Sequence, residues 1–152
     1  MQKTFLTAFG ALLVRFRNEN VISARFGDAN EVEIPVDSQV SSLEEIANTL
    51  SRHPLKPAGT DFQLRTWQAV STINTGQTAS YGDIACMLGI PRAYRAVASA
   101  IARNPIACFI PCHRIIRSNG SLGGYRWSAA RKQKILEYEK QQEARCRVGS
   151  NT

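Results

Sequence analysis

From residue 53 the sequence reads His53-Pro54-Leu55-Lys56-Pro57-Ala58-Gly59, and neither a helix nor a central strand can run through it. Each proline lacks an amide N–H and fixes its own φ, so the segment punctuates the chain as a linker. The patterns on its two sides differ. Before it, Leu12, Val14 and Phe16 alternate onto one face, and Ile22, Ala24 and Phe26 do the same in the next run. Asn18-Glu19-Asn20 lies between the runs, which predicts an antiparallel hairpin. Ser41 or Ser42 then opens a short helix, with Glu44 and Glu45 in its first turn. After the linker the apolar spacing becomes helical: Phe62, Trp67 and Val70 share one face, and Ser80 caps a helix through Ile84 and Leu88. The expectation is an α+β fold. A small antiparallel sheet lobe with a helix would occupy residues 1–58, a mainly helical lobe residues 62–145, and a tail residues 146–152.

Within the helical lobe, Gly89-Ile90-Pro91 predicts a tight turn, with Pro91 preparing a helix from Arg92 to Arg103. Tyr94, Val97 and Ile101 follow the i, i+3, i+7 pattern of a core face. Arg92, Arg95, Ser99 and Ala102 lie opposite, where small residues let another surface approach. Helix, glycine-containing turn, helix is the helix-turn-helix pattern, although an ordinary packed helical hairpin looks the same. Charge bears on the choice. Residues 1–61 hold six Lys/Arg against eight Asp/Glu, whereas residues 62–152 hold thirteen against four. A balance of −2 followed by +9 is the footprint of a polyanion partner or of a merely basic surface.

The composition removes other classes. The opening Met1-Gln2-Lys3-Thr4-Phe5 carries no signal-peptide pattern, and the apolar runs are far below the roughly 18 residues a membrane span needs. A cytoplasmic protein, in a bacterial cytosol, with reduced thiols at Cys86, Cys108, Cys112 and Cys146 is expected. There is no Cys-x-x-Cys, His53 and His113 are the only histidines, and a zinc site is not expected.

The chemistry concentrates after Asn104. Ile106-Ala107-Cys108-Phe109-Ile110 is an apolar run, strand-like or simply buried, in which Cys108 reads as a small core residue. It ends at Pro111-Cys112-His113-Arg114. There an imidazole and the Arg114 cation adjoin Cys112, and both raise the reactive thiolate fraction. A structural cysteine beside a satisfied histidine is the other reading of that tetrapeptide. In the C-terminal helix Glu139 is i+4 from Ile135 and i+3 from Leu136, so it points along the apolar face while Glu137 meets solvent. A buried carboxylate needs a partner: His113, or else a Lys or Arg.

Phe62-Gln63 with Trp67, Ser80-Tyr81-Gly82, Arg95-Ala96-Val97, Asn104-Pro105, Ile110-Pro111-Cys112-His113-Arg114 and Gly124-Tyr125-Arg126-Trp127 occur in this order. Together they closely resemble the O6-alkylguanine-DNA alkyltransferases, also called methylated-DNA–protein-cysteine methyltransferases, of the bacterial adaptive-response type. The resemblance spans Phe62 to Glu139. It implies that Cys112 accepts an alkyl group from guanine O6, and leaves open whether O4-methylthymine is a further substrate. His113 would deprotonate it through a water, Glu139 would support the imidazole, and Asn104 would brace the segment. Tyr81 would help turn the nucleotide out and donate a proton or hydrogen bond to the guanine ring. Arg95 would fill the vacated space, and Arg92, Ser99 and Ala102 would face DNA. Backbone near Cys112, Ile115 and Arg126 would read the guanine edge; Tyr125 and Pro111 would wall the pocket.

The implied partner is double-stranded DNA met in the minor groove, contacted mostly at phosphates. The implied reaction is a single-turnover transfer by a monomer without a cofactor. Tyr94 departs from the family pattern, which has a smaller residue there. Arg126 and Trp127 replace small residues and are expected to narrow the pocket, favouring methyl over benzyl. The N-terminal zinc site of some members and the cysteine-rich regulatory domain of others have no counterpart, so an activator role is not expected. A non-catalytic alkyltransferase-like protein, a helix-turn-helix regulator and a cysteine hydrolase are the rivals. The first usually replaces the cysteine, the second needs no role for Cys112, and the third would turn over.

Overall fold

The computed structural model describes residues 1–27 and 39–150, the last five of them by backbone path alone. It divides into two compact units. The first comprises Met1–Gly59 and Pro105–Phe109, and the second Thr60–Asn104 and Ile110–Thr152. The loop 105–109, read from sequence as part of the second lobe, thus groups with the first.

In the first unit β1 (Gln2–Thr7), β2 (Gly10–Arg17) and β3 (Asn20–Phe26) form an antiparallel meander in that order. β1 has no clear alternation and was not foreseen; it pairs along its whole length with β2. Asn18 and Glu19 both adopt positive φ, the two-residue turn whose twist matches the strands it joins. The expected inward triplet of β3 is corrected. Arg15 opposes Ser23 but Phe16 opposes Val21, so Ile22 is an extra residue at a bulge. Val21 is fully buried in its place, and Ala24 and Phe26 keep the inward face. β2 is buried on both faces, with Ala11 and Leu13 joining Leu12, Val14 and Phe16.

The edge of β3 is covered by two isolated bridges, to Leu55 and to Ile106. The Ala24 N–H donates to the Pro105 carbonyl at 2.9 Å, and the Ala107 N–H returns to the Ala24 carbonyl at 2.7 Å. The apolar run 106–110 is therefore not a strand. Ile106 pairs once, after which Cys108 turns at φ +68° and the Phe109 N–H reaches back to the Ala107 carbonyl at 2.8 Å. α1 (Leu43–Leu50) starts at Ser42, which exchanges capping-box hydrogen bonds with Glu45 and lays Ile46 and Leu50 into the core.

The second unit is mainly helical. α2 (Asp61–Val70) is capped by Thr60 and Gln63, and α3 (Tyr81–Met87) by Ser80 and Asp83, each through a reciprocal box. Trp67 is buried, and its indole N–H donates to the Ala100 carbonyl at 2.9 Å, which fixes α2 against α4 (Tyr94–Ala102). α4 starts later than Pro91 suggests, with Ala93 at the cap position and no side-chain cap. Its core face is Val97, Ala100 and Ile101. Tyr94, expected to face the core, is 48% exposed. Helical side chains lean toward the N-terminus, so a residue in the first position projects beyond the helix instead of onto its packed face. α5 (Ala129–Ser150) continues as helix past Arg145 into the stretch read as a tail, and residues 151–152 lie outside the described part. Among the described residues no helix is long and apolar enough to cross a membrane.

Candidate active site

Two short elements bring the site together. β4 (Ala79–Ser80) pairs in parallel with β5 (Ile115–Ile116), Ala79 opposite Ile115 and Ser80 opposite Ile116. Tyr81 follows β4 directly, and a 3-10 turn, Cys112–Arg114, precedes β5 directly. Residues more than thirty positions apart thereby become neighbours. The Cys112 N–H bonds back to the Ile110 carbonyl at 2.7 Å, with Pro111 at φ −81° and ψ 60° between them. That is an inverse γ-turn, and the ring of Pro111 holds its φ close to the value the turn needs.

Cys112 is 5% exposed. Its Sγ accepts the Asn104 Nδ2–H at 3.1 Å, and the same amide donates to the Ile110 carbonyl at 2.9 Å. Burial pushes the Cys112 thiol up to about 11, while the Asn104 hydrogen bond, the Lys132 charge and backbone amides pull it down. At neutral pH the resting group is a thiol, which needs a base to remove its proton.

His113 is fully buried, and its Nε2 lies 2.8 Å from Glu139 Oε1. A carboxylate only accepts, so Nε2 carries the proton and Nδ1 keeps its lone pair. Nδ1 is buried without a hydrogen-bond partner among the described residues. Burial drives the His113 pKa down, against the pull of Glu139, and the imidazole is a neutral acceptor. Glu139 binds the Arg114 guanidinium as well, Nε to Oε2 at 3.0 Å and Nη2 to Oε1 at 2.8 Å, so both partners considered from sequence are present. His113 and Arg114 outweigh burial and take its carboxyl down to about 2.

Arg114 corrects one expectation. It was read as the cation beside the thiol, but its fork is spent on Glu139, the Ile73 carbonyl at 2.8 Å and Thr75 Oγ1 at 3.0 Å. The cation that acts on Cys112 is Lys132, which the sequence reading missed. Lys132 is fully buried and donates to the Ile115 and Leu122 carbonyls, both at 2.6 Å, and to the Gly124 carbonyl at 3.2 Å. Burial lowers its pKa to about 8. The signal was available: Lys132, Ile135 and Glu139 stand at i, i+3 and i+7 on one helix face.

Cys112 opens onto a cavity of about 740 Å³ lined by Tyr81, Tyr94, Arg95, Ala102, Tyr125 and Arg126, with Arg117 and Gly124 among the rest. Tyr81 is half-buried, and burial together with the nearby Cys112 charge raises its pKa, so it stays a protonated donor. Not every expected residue lines this space. Pro111, Ile115 and Trp127 are buried outside the lining, and the exposed Arg92 and Ser99 do not line it either. The Ile115 carbonyl, expected to read guanine, already accepts from Lys132. Trp127 packs edge-on against Tyr125 at 5.3 Å, and the Arg126 guanidinium lies 5.5 Å above its ring. Any narrowing of the cavity thus falls to Arg126, whose Nη1 also donates to the Asn104 carbonyl at 3.1 Å. No group of three or more His, Cys, Asp or Glu able to hold a metal occurs among the described residues.

A buried cysteine, served by an imidazole–carboxylate pair and facing an aromatic- and arginine-lined cavity, defines a protein built around one protected nucleophile. The model of the family described as 6-O-methylguanine DNA methyltransferase, DNA binding domain, matches residues 61–141, more than half of the chain, and the chain belongs to that family. It is similar to the methylated-DNA–protein-cysteine methyltransferase of Mycobacterium leprae, 54% identical over 84 residues, which are 55% of this chain and 51% of that protein. It is also similar to the bifunctional transcriptional activator/DNA repair enzyme Ada of Escherichia coli K12, 50% identical over 92 residues, 60% of this chain and 26% of that protein. The matched stretch thus spans about half or less of these relatives. The crystal structure of Mycobacterium tuberculosis OGT in complex with DNA superposes with a TM-score of 0.75 at 33% identity, covering 92% of both chains. The α+β architecture is shared with it.

Proposed function

We propose that this chain repairs alkylated DNA directly, taking the alkyl group from guanine O6 in a duplex onto Cys112, once per molecule. The observation that carries the reading is the floor of the cavity. A buried sulfur accepts the Asn104 amide at 3.1 Å, and the next residue is a neutral imidazole backed by Glu139 at 2.8 Å. The Cys112 proton passes to His113 Nδ1 through a water, and the developing imidazolium is balanced by Glu139. The thiolate attacks the alkyl carbon, an S–C bond forms, and the C–O bond breaks with its electron pair leaving on the guanine. Tyr81 donates a proton or hydrogen bond to the ring as that charge develops. The product is a thioether, which no side chain of the site can cleave, so turnover stops at one.

A guanine O6 within a duplex is out of reach of a buried sulfur, so the nucleotide has to leave the stack. Arg95 enters the gap, and α3 and α4 act as a helix-turn-helix docked in the minor groove, with Arg92, Ser99 and Ala102 toward DNA. Its place of action is the cytoplasm, where bacterial DNA lies. The names of its relatives support the same reading.

The test is direct. The protein is incubated with a duplex carrying O6-methylguanine under reducing conditions, then weighed intact and mapped by peptides. One methyl per molecule on Cys112, absent in Cys112→Ala, supports repair. Tight lesion binding without a mass gain points to a non-catalytic lesion binder, and multiple turnovers point to a hydrolase; either defeats the proposal.

A further inference from the structure

Tyr94 was read as a core residue, and the structure leaves it exposed at the rim of the cavity, beside Arg95. The Arg95 guanidinium lies over the Tyr94 ring, 5.9 Å from its centroid. Both residues stand in the first turn of α4, a nine-residue helix with no acid in that turn and no side-chain cap. The positive end of the helix dipole disfavours a cation there, and no acidic residue lines the cavity to attract it. Among the described residues the aromatic face is the partner of this guanidinium. Stacking restricts where the planar cation can go and leaves its N–H edges free to donate.

We infer that Tyr94 is a positioning residue for nucleotide extrusion: its ring holds Arg95 at the cavity mouth, poised to enter the duplex as the target leaves. The inference rests on the repair reading above and deepens it. The ring reduces the freedom Arg95 loses on insertion, so its benefit is confined to substrates that must be flipped. A free O6-methylguanine base has no stack to leave and gains nothing from it.

Single-turnover methyl transfer to Cys112 is measured for wild type, Tyr94→Ala and Tyr94→Phe, on an O6-methylguanine duplex and on the free base. The ratio of duplex to free-base rate is expected to fall about two- to fivefold in Tyr94→Ala and to return in Tyr94→Phe, which keeps the ring. In an Arg95→Ala background, Tyr94→Ala is expected to add no further loss. An unchanged ratio in Tyr94→Ala, or losses that multiply with those of Arg95→Ala, overturns the inference and leaves the ring a plain cavity wall. A wild-type protein that acquires no methyl from either substrate defeats the repair reading itself, a result separable from a changed or unchanged ratio.

Discussion

Lys132 and Arg114 exchange the roles their places in the sequence suggest. Arg114, two residues from Cys112, is turned away to Glu139, whereas Lys132, twenty residues on, lowers the thiol pKa from within the core. Lys132→Met removes that charge and leaves three carbonyls short of a donor. Iodoacetamide labelling of Cys112, followed by peptide mapping from pH 7 to 10, should then slow by about tenfold at pH 7 if the thiol rises one further unit, and approach wild type well above pH 8, where Lys132 itself is neutral. Labelling equal to wild type across that range would show that Lys132 has no electrostatic role at the sulfur.

Glu139 supplies a stability prediction. Its carboxyl is lowered from 4.5 to about 2, so its contribution is fully present above pH 4.5 and is lost as pH falls from 4.5 toward 2. Glu139→Gln should cost on the order of 2 to 3 kcal/mol at pH 7 and remove the stability loss specific to that window, as read by urea melts at pH 7, 4 and 3. Glu139 was legible as an inward carboxylate because helical period alone sets its face. That it would hold His113 and Arg114 at once, rather than one or the other, was not, since both come from a turn 25 or 26 residues away.

At the scale of elements, the capping boxes were written into the chain. Ser42 and Ser80 could be read as helix starts because a hydroxyl and an acid three residues on satisfy each other's amides locally. The bulge at Ile22 could not be read, because an extra residue shows only against the strand it pairs with. The loop after β5 carries a testable constraint. Gly123 has φ +69°, and a Cβ there would stand 3.3 Å from the Tyr81 hydroxyl and 3.4 Å from Arg117 Cγ. Gly120 has φ +84° with open space around it. Both Gly→Ala changes should lower stability by roughly 1 to 2 kcal/mol through backbone strain. Gly123→Ala should in addition slow methyl transfer several-fold by displacing Tyr81. Thermal melts and single-turnover rates on both variants check this, and equal rates would mean the tyrosine yields without consequence.

At the scale of the whole molecule, charge is the broadest signal: residues 62–152 carry thirteen Lys/Arg against four Asp/Glu. If binding is mainly to phosphates, the logarithm of affinity for undamaged duplex should fall linearly with the logarithm of salt, by about 0.9 per phosphate contact. It should also vary little with sequence. Fluorescence titrations from 50 to 200 mM salt measure this, expected to show on the order of a hundredfold loss for four contacts. A flat response would remove the polyanion reading of the charge asymmetry.

The sequence by itself determined the α+β class, the helix caps, the inward face of α5 and the family motifs, because each depends on residues within a turn or two of one another; the segment read as a linker instead lays Leu55 against the edge of β3. Tertiary structure decided which cation's charge acts on Cys112, that Tyr94 lines the cavity while Trp127 packs against Tyr125 outside the lining, and that 105–109 joins the edge of β3. Those outcomes depend on pairing and burial between distant segments. Two residues of parallel ladder, β4 on β5, are enough to bring Tyr81 to the nucleophile, and a pairing that short has no periodicity to read.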